Sequence, residues 1–300
     1  MQTRSLAAMV LSSTLLASCG GGGGDAGSQP PTITSSTVGT ARYSDALLIT
    51  LLGSNLDQTL TFNTTGCRNF TRLTTAPTAS TSTVAYYNCT VSGVGDQTIA
   101  VNGGGITLRT LNFNAPVPQV TLLITNGVAV SGSLVITLSP TAAPITVDNF
   151  LAYVKSGFYN NTVFHRNART GTGGSFVVQG GGYTAPVNSA QPLPTPKPTN
   201  PPIVLERGLS NVRYTVAMAR LSSPNTATSE FFINTANNLF LNGDGTAANP
   251  GYATFGTVTT GTALVDAMDT APCVANYYGV GNPDCLPEPN LVIASAQQTR

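Results

Sequence analysis

FYNNTVFHRNARTGTGGSFVVQGGGY, residues Phe158–Tyr183, is the stretch from which the rest of the chain is read. It holds His165, the single histidine among 300 residues, and beside it Arg166. Thr162–Phe164 and Ser175–Val178 are rich in β-branched and aromatic residues and are predicted to be two short strands. Gly180, Gly181 and Gly182 follow Gln179, so the backbone can turn tightly and lie against another surface with no Cβ between. Arg166 and Gln179 are therefore expected beside the apolar run Phe176-Val177-Val178, an arrangement suited to gripping an amide.

Outward from this stretch the pattern stays mainly β. Upstream, Val147, Phe150, Leu151 and Val154 fall at i, i+3, i+4 and i+7 behind Pro144, which predicts a helix that Gly157 stops. Val120–Thr125 and Leu134–Leu138 read as strands, and Pro116 and Pro118 mark a boundary ahead of them. Before that boundary, Ala46–Leu52, Leu60–Phe62, Thr83–Val91, Gln97–Val101 and Ile106–Phe113 are short apolar or alternating runs separated by Gly, Asn and Ser. Such spacing predicts a small immunoglobulin-like β-sandwich over residues 31–116, with a spacing or binding role and no catalytic constellation. Gln191–Pro202 is proline-rich and reads as an extended loop, with docking of a proline-binding partner as the alternative.

Phe164-His165-Arg166 followed by Phe176-Val177-Val178-Gln179-Gly180-Gly181-Gly182 resembles the signature of the cyclophilin-type peptidyl-prolyl isomerases. Two further blocks arrive in that family's order. Asn211–Arg220 leads into Ala227–Asn234, and Asn238–Asn242 leads into Gly251–Gly256. The resemblance runs from about Val120 to Met268 and implies a cyclophilin-like eight-stranded closed β-barrel with capping helices over residues 119–300. It implies an enzyme acting on X-Pro bonds of polypeptides, with no cofactor and no metal.

Residue by residue, the resemblance makes Arg166 the catalytic group and Phe176, Val177, Phe232 and Leu241 the proline pocket, with Tyr252 where a histidine or tyrosine is usual. Gln179 and Ala219 match contacts to the substrate backbone, and Phe240 stands where a tryptophan or phenylalanine is usual. The chain departs from the pattern in three places. Val177 replaces a larger methionine, Glu230 replaces a glutamine at a substrate contact, and the loop 167–175 is longer. These departures imply a wider pocket, a charge near the peptide and an Arg166 held less firmly; in a domain poor in charge, its guanidinium is also expected to have few competing structural partners. They also favour an alternative, a binding module for Pro-containing segments with little turnover. His165 is expected to be structural rather than a base, and Phe255 to be core.

Charged residues are 8% and the net charge is +1, so no basic run grips phosphates and no nucleic-acid partner is expected. A monomer is expected. Residues 1–18 read as a signal peptide: Arg4 precedes the apolar Leu6–Leu16, too short to span a bilayer. Leu16-Ala17-Ser18-Cys19 resembles a bacterial lipobox, which implies a lipid on Cys19 and residues 19–30 as a Gly-rich tether. The implied location is the bacterial cell envelope, lipid-anchored on the periplasmic side of the outer membrane; an ordinary signal peptide is the alternative. Four further cysteines allow three connectivities. The local one, Cys67–Cys89 with Cys273–Cys285, is expected in an oxidising compartment, against free thiols in a reducing one.

Overall fold

The half-exposed segment Thr32–Val38 (β1) pairs with Ala46–Ser54 (β2), whose Leu47, Ile49 and Leu51 point inward at alternate positions. The other strands of this half are Thr61–Asn63 (β3), Cys67–Arg72 (β4), Val84–Val91 (β5), Gly95–Gly103 (β6) and Ile106–Ala115 (β7). They lie as two sheets, β1-β2-β5-β4 and β3-β6-β7, the strand order of a seven-stranded immunoglobulin-type sandwich. Ala85, Tyr87, Cys89 and Val91 face the core between the sheets, and Cys67 bonds Cys89 within the first sheet. The sequence reading missed β1 and β4. Both are edge strands, so neither needs the apolar alternation of a strand covered on one face. The computed structural model describes residues 29–126, 130–187, 195–275 and 284–300, so residues 1–18, read as a signal peptide, and Cys19 lie outside the described residues.

After Pro116 and Pro118 the chain enters a second core. Its elements are Gln119–Thr125 (β8), Ser131–Leu138 (β9), Pro144–Lys155 (α1), Thr162–Arg169 (β10), Ser175–Thr184 (β11), Thr215–Met218 (β12) and Phe231–Asn234 (β13). Thr254–Thr260 (β14), Thr262–Asp269 (α2), Cys273–Ala275 (β15), Cys285–Pro287 (β16) and Leu291–Gln298 (β17) complete it. Eight strands pair in the order β11-β13-β12-β14-β9-β8-β17-β10, and β10 pairs β11 again, which closes an antiparallel barrel. A closed sheet has no free edge, so its backbone groups are paired around the ring. The β15–β16 hairpin, joined by the Cys273–Cys285 disulfide, hangs on β10 through the Asn167–Cys285 pair.

Helix α1 fills the barrel with its apolar face, as its spacing predicts. Phe150 meets Phe255 at 4.9 Å, Tyr159 at 5.3 Å and Phe231 at 5.5 Å between ring centroids. Aromatic contacts of this geometry add to the burial of the rings themselves. Residues 31–300 form one compact unit, and the two cores are joined by charge and by shape. Arg68 on β4 donates to Asp148 on α1 at 2.6 Å, and Lys155 at the end of α1 reaches Asp45 at 2.7 Å. Tyr43, fully buried, belongs to the barrel core although it precedes β2.

The glycine run of β11 passes behind these aromatics. Gly181 has φ +88°, and a Cβ there would sit 2.9 Å from Tyr159 Cε1 and 3.1 Å from Phe231 Cε1. Gly181→Ala should therefore cost about 2–4 kcal/mol, combining left-handed strain with overpacking. Gly105, with φ +83° and no neighbour in reach of a Cβ, carries the conformational part alone. Its alanine variant should lose about 1–2 kcal/mol, both variants being measured by urea titration against the parent. Equal losses at the two positions would show that the aromatic wall exerts no steric demand on Gly181.

Candidate active site

Alternation along the barrel strands sorts side chains into two groups. Phe164, Val178, Val216, Met218, Phe231, Ile233 and Phe255 point into the barrel core. Ala168, Val177, Ala217, Phe232 and Leu241 form a separate apolar cluster on the outer face, with Phe176, Ala219 and Tyr252 packed against it. Leu241 comes from the short 3-10 turn Leu239–Asn242, which lies over this face. Phe255 is thus barrel core, while Phe176 and Phe232 belong to the outer cluster.

Two bulges complete the site. Phe164 pairs with Gly180, but the next pair on β10 is Arg166 with Gln179, so two residues face one. Without the extra residue, His165 would oppose Gln179 and Arg166 would oppose Val178, pointing into the core. The bulge puts Arg166 on the outer face, directly across from Gln179. A second irregularity leaves Phe176 unpaired between Ala168–Val177 and Arg169–Ser175. That is how consecutive Phe176 and Val177 can both join the outer cluster.

The resulting pocket has a volume of about 220 Å³. It brings together Arg166, Phe176, Val177, Gln179, Ala219, Phe232, Leu241 and Tyr252, with Arg220 as a further wall residue. Phe240 and Glu230 are not among its lining. Phe240 is 65% exposed and stacks on Phe176 at 5.5 Å, so it forms an outer rim. Glu230 stands behind Gln179: the Gln179 amide donates to Glu230 Oε2 at 2.8 Å, and its Oε1 accepts from Arg166 Nη1 at 2.9 Å. An anion at one end and a cation at the other thus fix which way the amide points.

Arg166 is held more firmly than its sequence surroundings predict. Its Nε and Nη2 both donate to Asp284 Oδ2, at 2.8 and 2.6 Å, so the expectation of few structural partners is corrected. The long loop is also shorter than it reads, because Asn167–Arg169 continue β10. Only Thr170–Gly174 turn, and Gly174 N donates to Thr170 Oγ1 at 2.9 Å. Arg169 Nη1 and Ser175 Oγ both donate to the buried carboxylate of Asp269, at 3.1 and 2.6 Å, which ties down both feet of the hairpin.

Arg220, which closes the Asn211–Arg220 block, also serves the pocket. Its Nε donates to Gly251 O at 2.9 Å and its guanidinium lies 4.4 Å from the Tyr252 ring centre, so it fixes that ring at the pocket mouth. The described part of the proline-rich loop lies on the barrel rather than free of it. Lys197 N donates to Gly182 O at 2.9 Å and Asn200 N to Tyr153 Oη at 2.8 Å. His165 is buried between the core and Glu230, with Nε2 3.4 Å from Glu230 Oε2. Burial pushes it below the ordinary imidazole value of 6.5, against the opposing pull of Glu230, and Arg166 adds to the lowering.

Residues 121–297 match the family model described as cyclophilin type peptidyl-prolyl cis-trans isomerase/CLD. The chain is 45% identical over 141 residues to peptidyl-prolyl cis-trans isomerase cyp18 of Streptomyces antibioticus, covering 46% of this chain and 78% of that one. It is 39% identical to peptidyl-prolyl cis-trans isomerase A of Dickeya dadantii over 169 residues, 56% of this chain and 80% of that one. Against peptidyl-prolyl cis-trans isomerase B of Escherichia coli the identity is 43% over 140 residues, 46% and 78% of the two chains.

The buried histidine has a measurable consequence. Its folded value lies below its unfolded one, so the unfolded chain binds the proton more readily and stability rises with pH across that window. Its contribution is full above about pH 6.5 and is lost as pH falls through the lowered folded value. Urea midpoints taken between about pH 7.5 and pH 5 should fall less steeply for His165→Gln than for the parent. Parallel slopes would show that His165 does not titrate differently on folding.

Proposed function

The chain belongs to the cyclophilin-type peptidyl-prolyl cis-trans isomerase family, and we propose that it turns X-Pro bonds of exported proteins at the pocket beside Arg166 while lipid-anchored in the cell envelope. The observation that carries this reading is the Arg166 guanidinium, fixed beside the apolar wall formed by Phe176, Val177, Ala219, Phe232 and Leu241, with Gln179 and Arg220 as further polar groups of the pocket. Rotation about an X-Pro bond requires loss of amide conjugation, against a barrier of about 18–20 kcal/mol. As conjugation is lost the prolyl nitrogen becomes pyramidal and gains a lone pair able to accept a hydrogen bond.

The apolar cluster takes the proline ring, and an Arg166 N–H donates to that nitrogen as its lone pair develops. A charge-assisted hydrogen bond made mainly in the twisted state is worth about 1.5–3 kcal/mol, roughly ten- to a hundredfold in rate. No nucleophile, general base or electron carrier is needed. Burial in the pocket assists as well, because the twisted amide is less polar than the planar one and loses less on leaving water.

Export is supported by the two local disulfides and by the Leu16-Ala17-Ser18-Cys19 sequence. A second reading, a module that holds Pro-containing segments with little turnover, is favoured by one observation. Glu230 engages the Gln179 amide that would otherwise be free to contact a peptide backbone.

Arg166→Ala in the purified full chain should lower turnover on a short X-Pro peptide at least tenfold, with peptide affinity changing less. Equal turnover of the folded variant and parent would refute the role of Arg166. Undetectable turnover in both, with peptide still bound, would favour the holding module. For the anchor, metabolic labelling with palmitate should be lost in Cys19→Ser; label retained on that variant would exclude it.

A further inference from the structure

We propose that Asp284 is a positioning residue for Arg166, and that the Cys273–Cys285 disulfide serves the active site by holding Asp284 in place. The inference rests on the role given to Arg166 above. A guanidinium has five N–H donors. Nε–H and one Nη2–H go to Asp284 Oδ2, and one Nη1–H goes to Gln179 Oε1, which leaves two of the five, one on each Nη. Arg166 lines the pocket, so these two are the donors left for a bound peptide. An arginine free to rotate would spread its donors over many directions. One held along its Nε edge presents the same two N–H groups at every encounter, with no reorganisation when the amide twists.

Asp284 is itself built in. Its side chain is 16% exposed, its Oδ1 accepts from Arg169 N at 3.0 Å, and the next residue, Cys285, pairs with Asn167 on β10. The disulfide joins Cys285 to Cys273 across the paired strands β15 and β16. Among the described residues that hairpin contributes none to the pocket wall, and the Asp284 carboxylate is aimed at Arg166. Holding the arginine therefore gives the hairpin a function at the site.

The test is a double-mutant cycle on the full chain, with turnover per folded molecule and peptide affinity measured separately. Asp284→Ala should lower turnover about tenfold, as expected for loss of a charge-assisted contact that orients a donor, while peptide affinity stays within about twofold. Asp284→Asn, which keeps the shape and one acceptor, should lose less. Cys273→Ser with Cys285→Ser should move turnover in the same direction as Asp284→Ala. In an Arg166→Ala background, Asp284→Ala should cost nothing further, a coupling that a merely structural role would not produce.

Turnover of both Asp284 variants within about twofold of an active parent would overturn this proposal while leaving the function of Arg166 standing. So would an equal loss in the Arg166→Ala background. If Asp284→Ala does not fold, Asp284→Asn decides by the same criterion. An inactive parent would overturn the isomerase reading and this inference together.

Discussion

One extra residue in β10 sets the character of this protein. The bulge at His165 reverses which face the following side chains take, and so converts an arginine that strict alternation would bury into one that stands outside the barrel. An unpaired guanidinium buried among Phe164, Val178 and Phe231 would be intolerable to the core. Facing outward, it meets Gln179 at the opposite register position. The bulge at Phe176 does the complementary work on β11, adding an aromatic wall on the same side. Barrel closure makes both irregularities persistent, since strands paired on two sides cannot slide to remove them.

The polar side of the site is ordered by charge. Asp284, Arg166, Gln179 and Glu230 form a continuous chain of contacts from the β16 hairpin to the start of β13. Each neutral or cationic member lies between partners of suitable sign, and His165 stands at the far end in a setting that keeps it neutral near pH 7. Such a chain favours a single arrangement, because moving one member leaves its neighbour without a partner in a poorly hydrated place. Glu230 therefore acts on the site through Gln179 and also as a wall of the adjoining cavity that shares Gln179, Ala219 and Arg220 with the pocket.

Much of this was legible in the sequence because its contacts are local. Arg166 and Gln179 are 13 residues apart on adjacent strands, and the glycine run and α1 carry their own periodicity. Asp284 was not legible. It reaches Arg166 across 118 residues, from a hairpin with no pattern to announce it beyond a neighbouring cysteine. The loop 167–175 misled for a related reason. Its Asn, Ala and Arg residues have weak strand preference, yet pairing with β11 on one side and β16 at Asn167 on the other draws them into β10. Phe240 and Glu230 were placed at the pocket by resemblance; the stacking of Phe240 on Phe176 and the place of Glu230 in the adjoining cavity, bonded to Gln179, follow from neighbours that the linear sequence does not display.

The position of Tyr43 bears on how the two halves depend on each other. Its ring fills a place in the barrel core, while Gln298 on β17 donates to its carbonyl at 3.1 Å and Lys155 donates to the carbonyl of Ser44 at 2.6 Å. The sandwich thus supplies a keystone to its neighbour. A barrel severed at Pro116 would expose the apolar surface that this ring covers and leave the Gln298 and Lys155 side chains without these carbonyls. The upstream half is therefore less an appendage than an intramolecular cover for the part of the barrel core beneath Tyr43.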